Sequence, residues 1–228
     1  VVKDAIVVTV LTPGAAPAPE GDAERLHSRA RIARRSTTSQ SGAGTPPRQR
    51  LLDSAYELFS RRGVRDVGID EILARSGVAK ATLYRHFPSK DDLVLEFLAL
   101  REQRWTIALV EAQLTARADT AEGRLLAVFD VFDEWFRTGA DFDGCSFVNV
   151  LLEMGPDHPL GRASAGYLAN IRAILERLAT EAGLREPSEF AHSCHILMKG
   201  CIVAAAEGDL GSARRAQAMA RSLIESHR

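Results

Sequence analysis

Three cysteines in 228 residues (Cys145, Cys194 and Cys201) are too few, and odd in number, for a disulfide scaffold. A reducing compartment, the cytoplasm, is the expectation. No run approaches the roughly 18 apolar residues of a membrane-spanning helix, so no membrane partner is expected. The short motifs of catalysis are missing as well: no Gly-rich loop ending in Gly-Lys-Ser/Thr, no His-Glu-x-x-His, no Cys-x-x-Cys. Gly161-Arg-Ala-Ser164-Ala-Gly166 has the wrong spacing for a nucleophile elbow and falls in a helical stretch. The chain therefore does not read as an enzyme, and no cofactor is expected. An excess of charge of one sign is also lacking, with 29 Lys and Arg against 30 Asp and Glu. At 46% apolar and 26% charged, the composition excludes a wholly disordered or collagen-like chain.

The neutral total hides a split. Residues 1–90 carry 15 basic and 9 acidic side chains, and residues 91–228 carry 14 and 21. This asymmetry suggests that the N-terminal part meets a polyanion. Residues 1–45 read as a flexible, partly basic extension, broken by Pro13, Gly14, Pro17, Pro19 and Gly21 and ending in a Ser/Thr/Gly-rich linker. Ala5–Leu11 has about the minimum length of a secretion-signal core, but Asp4 sits in its basic region and no persuasive cleavage site follows. A misplaced start or a trimmed terminus is the preferred account of this leader. Four arginines in Arg29-Ala-Arg-Ile-Ala-Arg-Arg35 read either as an arm touching phosphates or as a solvated tail.

Residues 46–92 read as the DNA-binding domain. From Arg48 the apolar positions Leu51/Leu52, Ala55 and Leu58/Phe59 recur at helical spacing until Gly63. A second helix is predicted over Ile69–Ser76, a third over Lys80–Phe87 and a fourth from Lys90, with Ser89 and Asp92 as a weak capping box. Gly77 allows the tight turn between the second and third helices, and Val78 plugs their angle. Leu83 and Phe87, four apart, face inward. Lys80, Ala81, Thr82, Tyr84, Arg85 and His86 are left on the exposed arc, offering hydrogen-bond donors and no carboxylate. Two short helices around a glycine turn, the second rich in donors, form a helix-turn-helix over about 68–87.

The stretch Ile69–Leu93, above all Ala79-Lys-Ala-Thr-Leu-Tyr-Arg-His-Phe-Pro-Ser-Lys90, closely resembles the DNA-binding domain of TetR-family transcriptional regulators. The resemblance implies phosphate contacts from Thr82, Tyr84 and Lys90, with His86 beside the backbone, and places Lys80 and Ala81 near base edges. Arg48 and Arg85 are counted with them. Gly68 and Ala79 depart from the family pattern, standing where hydroxyl caps are common.

Residues 93–228 show only helical periodicity. The chain thus reads as all-α, about nine helices, with a C-terminal ligand-binding and dimerisation domain as the resemblance implies. Gly144-Cys145…Asn149 and Asp157-His158-Pro159 also resemble C-terminal domains of one broad TetR subgroup, which names no effector. Trp105, Phe129, Phe132, Trp135, Phe136, Phe147, Tyr167 and Met198 are candidates to line a cavity, with Asn149, His192 and His195 as its polar groups; ordinary core packing is the competing reading for each aromatic. A homodimer is implied, for which Gly200, Cys201, Ala204 and Ala205, with Ala216, Met219, Ala220 and Leu223, are interface candidates. No metal is expected: at ~100° per residue, Cys194 and Cys201 point about 180–200° away from His192. A redox role for Cys145 stays open. The expected partners are double-stranded DNA carrying a palindromic operator, an unidentified small-molecule effector and a second copy of the chain. The expected function is a ligand-responsive repressor. The competing reading is a small-molecule carrier or protein-interaction module that keeps the head only as scaffold.

Overall fold

The computed structural model describes residues 44–138 and 142–228, with the side chains of 108–111 also outside the description. The basic arm at 29–35 and the rest of the N-terminal extension lie outside the described residues. Among those described, every regular element is helical.

Helix α1 (Pro47–Arg62) starts with proline in its first turn, where the missing N–H costs nothing, and buries Leu51, Leu52, Ala55, Tyr56, Leu58 and Phe59. Gly63 ends it at φ 80°, a conformation that suits glycine. Helix α2 (Ile69–Ser76) has Asp70 and Glu71 in its first turn, where the helix dipole favours anions. Gly77 closes it in the left-handed region at φ 64°, its N–H donating to the Leu73 carbonyl. Helix α3 (Lys80–His86) follows after three residues. Neither Gly68 nor Ala79 supplies a side-chain cap, as their residue types dictate.

Helix α4 (Lys90–Arg101) opens with a full capping box: the Asp92 N–H donates to Ser89 Oγ, and the Ser89 N–H donates to the Asp92 carboxylate. The rod continues through Glu102–Glu111 into α5 (Ala112–Arg117), with Glu102–Glu111 wound as π-helix. Helix α6 (Ala121–Arg137), α7 (Ser146–Met154), α8 (Pro159–Glu181), α9 (Pro187–Ala206) and α10 (Ser212–Ser226) complete the chain. With α4, the π stretch and α5 taken as one rod, the described residues form nine helical units.

Two apolar cores share a seam. The first joins α1–α4 to α7 and α8 through Phe147, Val150, Leu160 and Leu168; the second packs α6, α8, α9 and α10. Cys145 and Ile171 touch both. The head is therefore seated on α7 and α8 rather than hung from α4 alone. The α7–α8 corner is close enough that a Cβ on Gly161 would collide with the Gly155 carbonyl.

Polar ties fix the rest. Arg214 of α10 bridges Asp130 (2.8 Å) and Asp133 (3.0 Å) of α6, and Arg137 adds a second donor to Asp133. Asp133 is buried, and the hydrogen bond from Arg137, then that from Arg214, hold its carboxyl below the usual range against the cost of burial.

Candidate functional site

The third helix presents its polar arc outward. Leu83 is fully buried and Phe87 nearly so, anchoring α3 against α1 and α2, while Lys80, Ala81, Tyr84, Arg85 and His86 are exposed. Tyr84 is 43% exposed, high for a tyrosine with an apolar ring. Thr82 is half-buried, and its Oγ1 accepts a long hydrogen bond from Arg85 (3.4 Å). Lys80 lies 3.4 Å from Asp70 in an ion pair whose members are both solvent-exposed, so its ammonium is weakly held.

Two candidate DNA contacts are already engaged. Arg48 pairs with Glu96 at 2.7 Å and lies over the Phe87 ring. Lys90 donates to the Val64 carbonyl at 2.6 Å. An ammonium has three donors, so Lys90 keeps two N–H groups for a phosphate. It also pins the α1–α2 turn, whose Val64 and Arg65 N–H groups donate to the Glu153 carboxylate of α7 at 2.9 and 2.7 Å.

A second candidate site lies in the C-terminal half, between the π stretch, α6, α8 and α9. It is an apolar cavity partly open to solvent. Of the aromatic candidates, Trp105, Phe132, Trp135 and Phe147 line it, with Met198 and His195. Trp105 and Trp135 meet edge to face at 4.5 Å, and Phe132 stands 5.7 Å from Trp105. Burial first, then Lys199, Arg172 and His192, push the His195 imidazole down to about 4, so it is neutral near pH 7.

Five candidates stand elsewhere. Phe129 and Phe136 are buried in the second core, packed against Phe132 rather than open to the cavity. Tyr167 stacks on Phe147 at 5.1 Å and is not among the cavity's lining residues. Asn149 is exposed and donates to the Asp143 carbonyl. His192 is exposed, its Nδ1 against the Ser188 carbonyl one turn back. Conversely, Arg101, Thr106, Cys145 and Lys199 line the cavity and were not anticipated. Burial pushes the Cys145 thiol up despite Arg101 and Lys199 nearby, which works against a thiolate.

The small-residue face proposed for pairing is also divided. Cys201, Ala205, Ala216 and Ala220 point into the chain's own core, because α9 is apolar on both sides and periodicity alone does not choose between them. Gly200 and Met219 are exposed, with Ala204 and Leu223 half-buried. Ile196 (64% exposed) and Val203 (53%), seven residues apart on one side of α9, and Met219 (57%) on α10 are exposed apolar side chains.

Known proteins resemble both parts. Residues 51–97 match the family model described as bacterial regulatory proteins, tetR family. Over 77 residues the chain is 42% identical to the HTH-type transcriptional activator FasR of Mycolicibacterium smegmatis, covering 34% of this chain and 33% of FasR. The HTH-type transcriptional regulator AcrR of Shigella flexneri is 42% identical over 55 residues, 24% of this chain and 26% of AcrR. The chain thus spans about a third or less of the length of these curated relatives. The solved structure of SCO4454, a TetR-family transcriptional regulator from Streptomyces coelicolor, superposes with a TM-score of 0.71 at 28% identity, over 79% of this chain and 95% of that one. Head motif and whole fold agree: residues 51–97 match the tetR family of bacterial regulatory proteins, and the fold is like that of a solved TetR-family transcriptional regulator.

Proposed function

We propose that this chain is a ligand-responsive repressor that binds a palindromic operator as a homodimer. The observation that carries the reading is α3: a helix anchored by Leu83 and Phe87, whose free arc holds Lys80, Tyr84, Arg85 and His86 in solvent with no carboxylate on its own turns. Donors on such an arc suit phosphate oxygens and base edges. The exposed apolar side chains of Ile196, Val203 and Met219 support a second copy of the chain at α9 and α10. Two heads paired in this way read successive turns of a duplex, ~34–36 Å apart. The cavity supports a small-molecule effector, which regulates by binding the DNA-competent and DNA-incompetent states with different affinity. Such a regulator works in the cytoplasm, where the DNA is. No helix among the described residues is long and apolar enough to cross a membrane.

The test is a gel shift on the DNA upstream of the chain's own gene, over a salt series. Tyr84→Phe and Lys80→Ala should each weaken binding, and Lys80→Ala should lower the salt slope by about one if the lysine neutralises a phosphate. Unchanged affinity and slope in both variants would remove α3 from the interface. A chain that shows no specific shift at any salt would favour the carrier reading.

A further inference from the structure

The following inference rests on the ligand-responsive reading and gives its effector a chemical class. The cavity wall is mostly hydrocarbon, yet among the described residues its charged groups are of one sign. Arg101, at the end of α4, and Lys199, on α9, line it, and among the described residues no Asp or Glu does. The two cations line one cavity, together with Cys145. Arg101 donates to a neutral partner, the Tyr56 hydroxyl, at 3.0 Å, and lies over the Trp105 ring.

Two more wall groups are buried with an unmatched polar atom. Thr106 is 3% exposed and His195 2%, and neither Thr106 Oγ1 nor His195 Nδ1 has a hydrogen-bond partner. Buried polar atoms are nearly always paired, so each exception calls for a missing partner. A neutral apolar guest leaves the two cations facing hydrocarbon, and a cationic guest adds repulsion. A guest with an apolar body and an anionic head suits the whole wall.

We propose that the cavity binds a hydrophobic organic carboxylate, its head between Arg101 and Lys199 within reach of Thr106 and His195, and its body among Trp105, Phe132 and Trp135. The guest also reaches the head of the protein. A carboxylate that draws the Arg101 guanidinium competes with the Tyr56 hydroxyl of α1, so occupancy is felt inside the DNA-binding core.

The chain has two tryptophans, and both line the cavity, so intrinsic fluorescence reads this site. The full chain is titrated near neutral pH with decanoate, decan-1-ol and decyltrimethylammonium, each below its micelle concentration. A flat pair, 2-naphthoate and 2-naphthylmethanol, is run beside them. In at least one pair the carboxylate should bind about tenfold or more tighter than its alcohol, the scale of one charge-assisted hydrogen bond, and the ammonium should bind weakest. Lys199→Gln and Arg101→Gln should each erase most of that margin while leaving the alcohol's affinity in place, and Lys199→Arg should keep it. If the alcohol matches the carboxylate in both pairs, if the ammonium binds best, or if none of the five binds, the proposal is overturned. The ligand-free gel shift is scored separately. A chain that prefers the carboxylate but binds no DNA sinks the regulator reading and keeps this one; DNA binding without carboxylate preference does the reverse.

Discussion

Glu153 carries the sharpest prediction about how the two halves are joined. Its carboxylate, on α7, accepts the backbone N–H groups of Val64 and Arg65, 89 and 88 residues earlier in the chain. Gly63 leaves α1 there with positive φ, and a Cβ at that position would crowd the same carboxylate. In Glu153→Gln one oxygen becomes an NH2 that faces an N–H donor, so one bond is lost and the other loses its charge. Hydrogen bonds to a charged group contribute ~1.5–3 kcal/mol each when partly buried, and the exposure of Arg65 argues for the low end, about 2 kcal/mol in all. For a chain of this size that corresponds to a fall in Tm of ~4–8 °C. The direct assay is amide hydrogen exchange over residues 63–68. Protection of Val64 and Arg65 should drop in Glu153→Gln while that of α9 stays unchanged. Equal protection in the two proteins, at equal Tm, would mean that the turn holds itself and that α7 does not latch the head.

Three further outcomes follow from named contacts. Tyr56→Phe keeps the ring that packs on Phe97 and removes only the oxygen that accepts from Arg101, so ligand affinity should persist while the ligand's effect on DNA affinity shrinks several-fold, on the scale of one hydrogen bond; an undiminished effect in paired gel shifts would rule out this route. Asp133 has its pKa lowered in the folded chain, by Arg137 first, so its stabilisation is complete above the unfolded value of about 4 and is lost as pH falls through the lower folded value; Asp133→Asn should cost about 1–2 kcal/mol at pH ~7 and little at acid pH, and a gap that stays constant in thermal melts across that range would refute the assignment. Val203→Glu places a charge on the exposed side of α9 that also carries Ile196 and should turn a dimer into a monomer in sedimentation without lowering Tm at low protein concentration; an unaltered dimer would move the interface elsewhere.

What could be read from the sequence is what local chemistry decides. Gly63, Gly77, Pro88 and Ser89 punctuate the head, and each marks an end or start of a helix within a residue of where the structure places it. The inward pair Leu83 and Phe87 sets the face of α3, because four residues make just over one turn. The rest depends on partners distant in sequence. Arg101 and Lys199 are charged and read as solvated, and only the packing of α4, α8 and α9 turns them onto a shared cavity. In α9 both faces are apolar, so Cys201 and Ala205 face inward although small residues there suggest a partner helix. The π winding of Glu102–Glu111 carries no periodic signature that an amphipathic helix lacks.

The same contrast bears on regulation. Cys145 and Phe147 at the start of α7 line the cavity, and Glu153 near its end holds the α1–α2 turn. From Phe147 to Glu153 is six residues, about 9 Å of rigid helix. Arg101 is a second bridge, joining the same cavity to Tyr56. A guest that shifts either wall therefore acts on α1 from two sides, at its buried Tyr56 and at the turn after Arg62. Helix α1 in turn supports α3 through Leu83 and Phe87, which share its apolar core. For the proposed regulator, the angle of the donor arc against a duplex would depend on contacts that begin in the cavity, and a ligand would change it only insofar as it binds the two settings with unequal affinity.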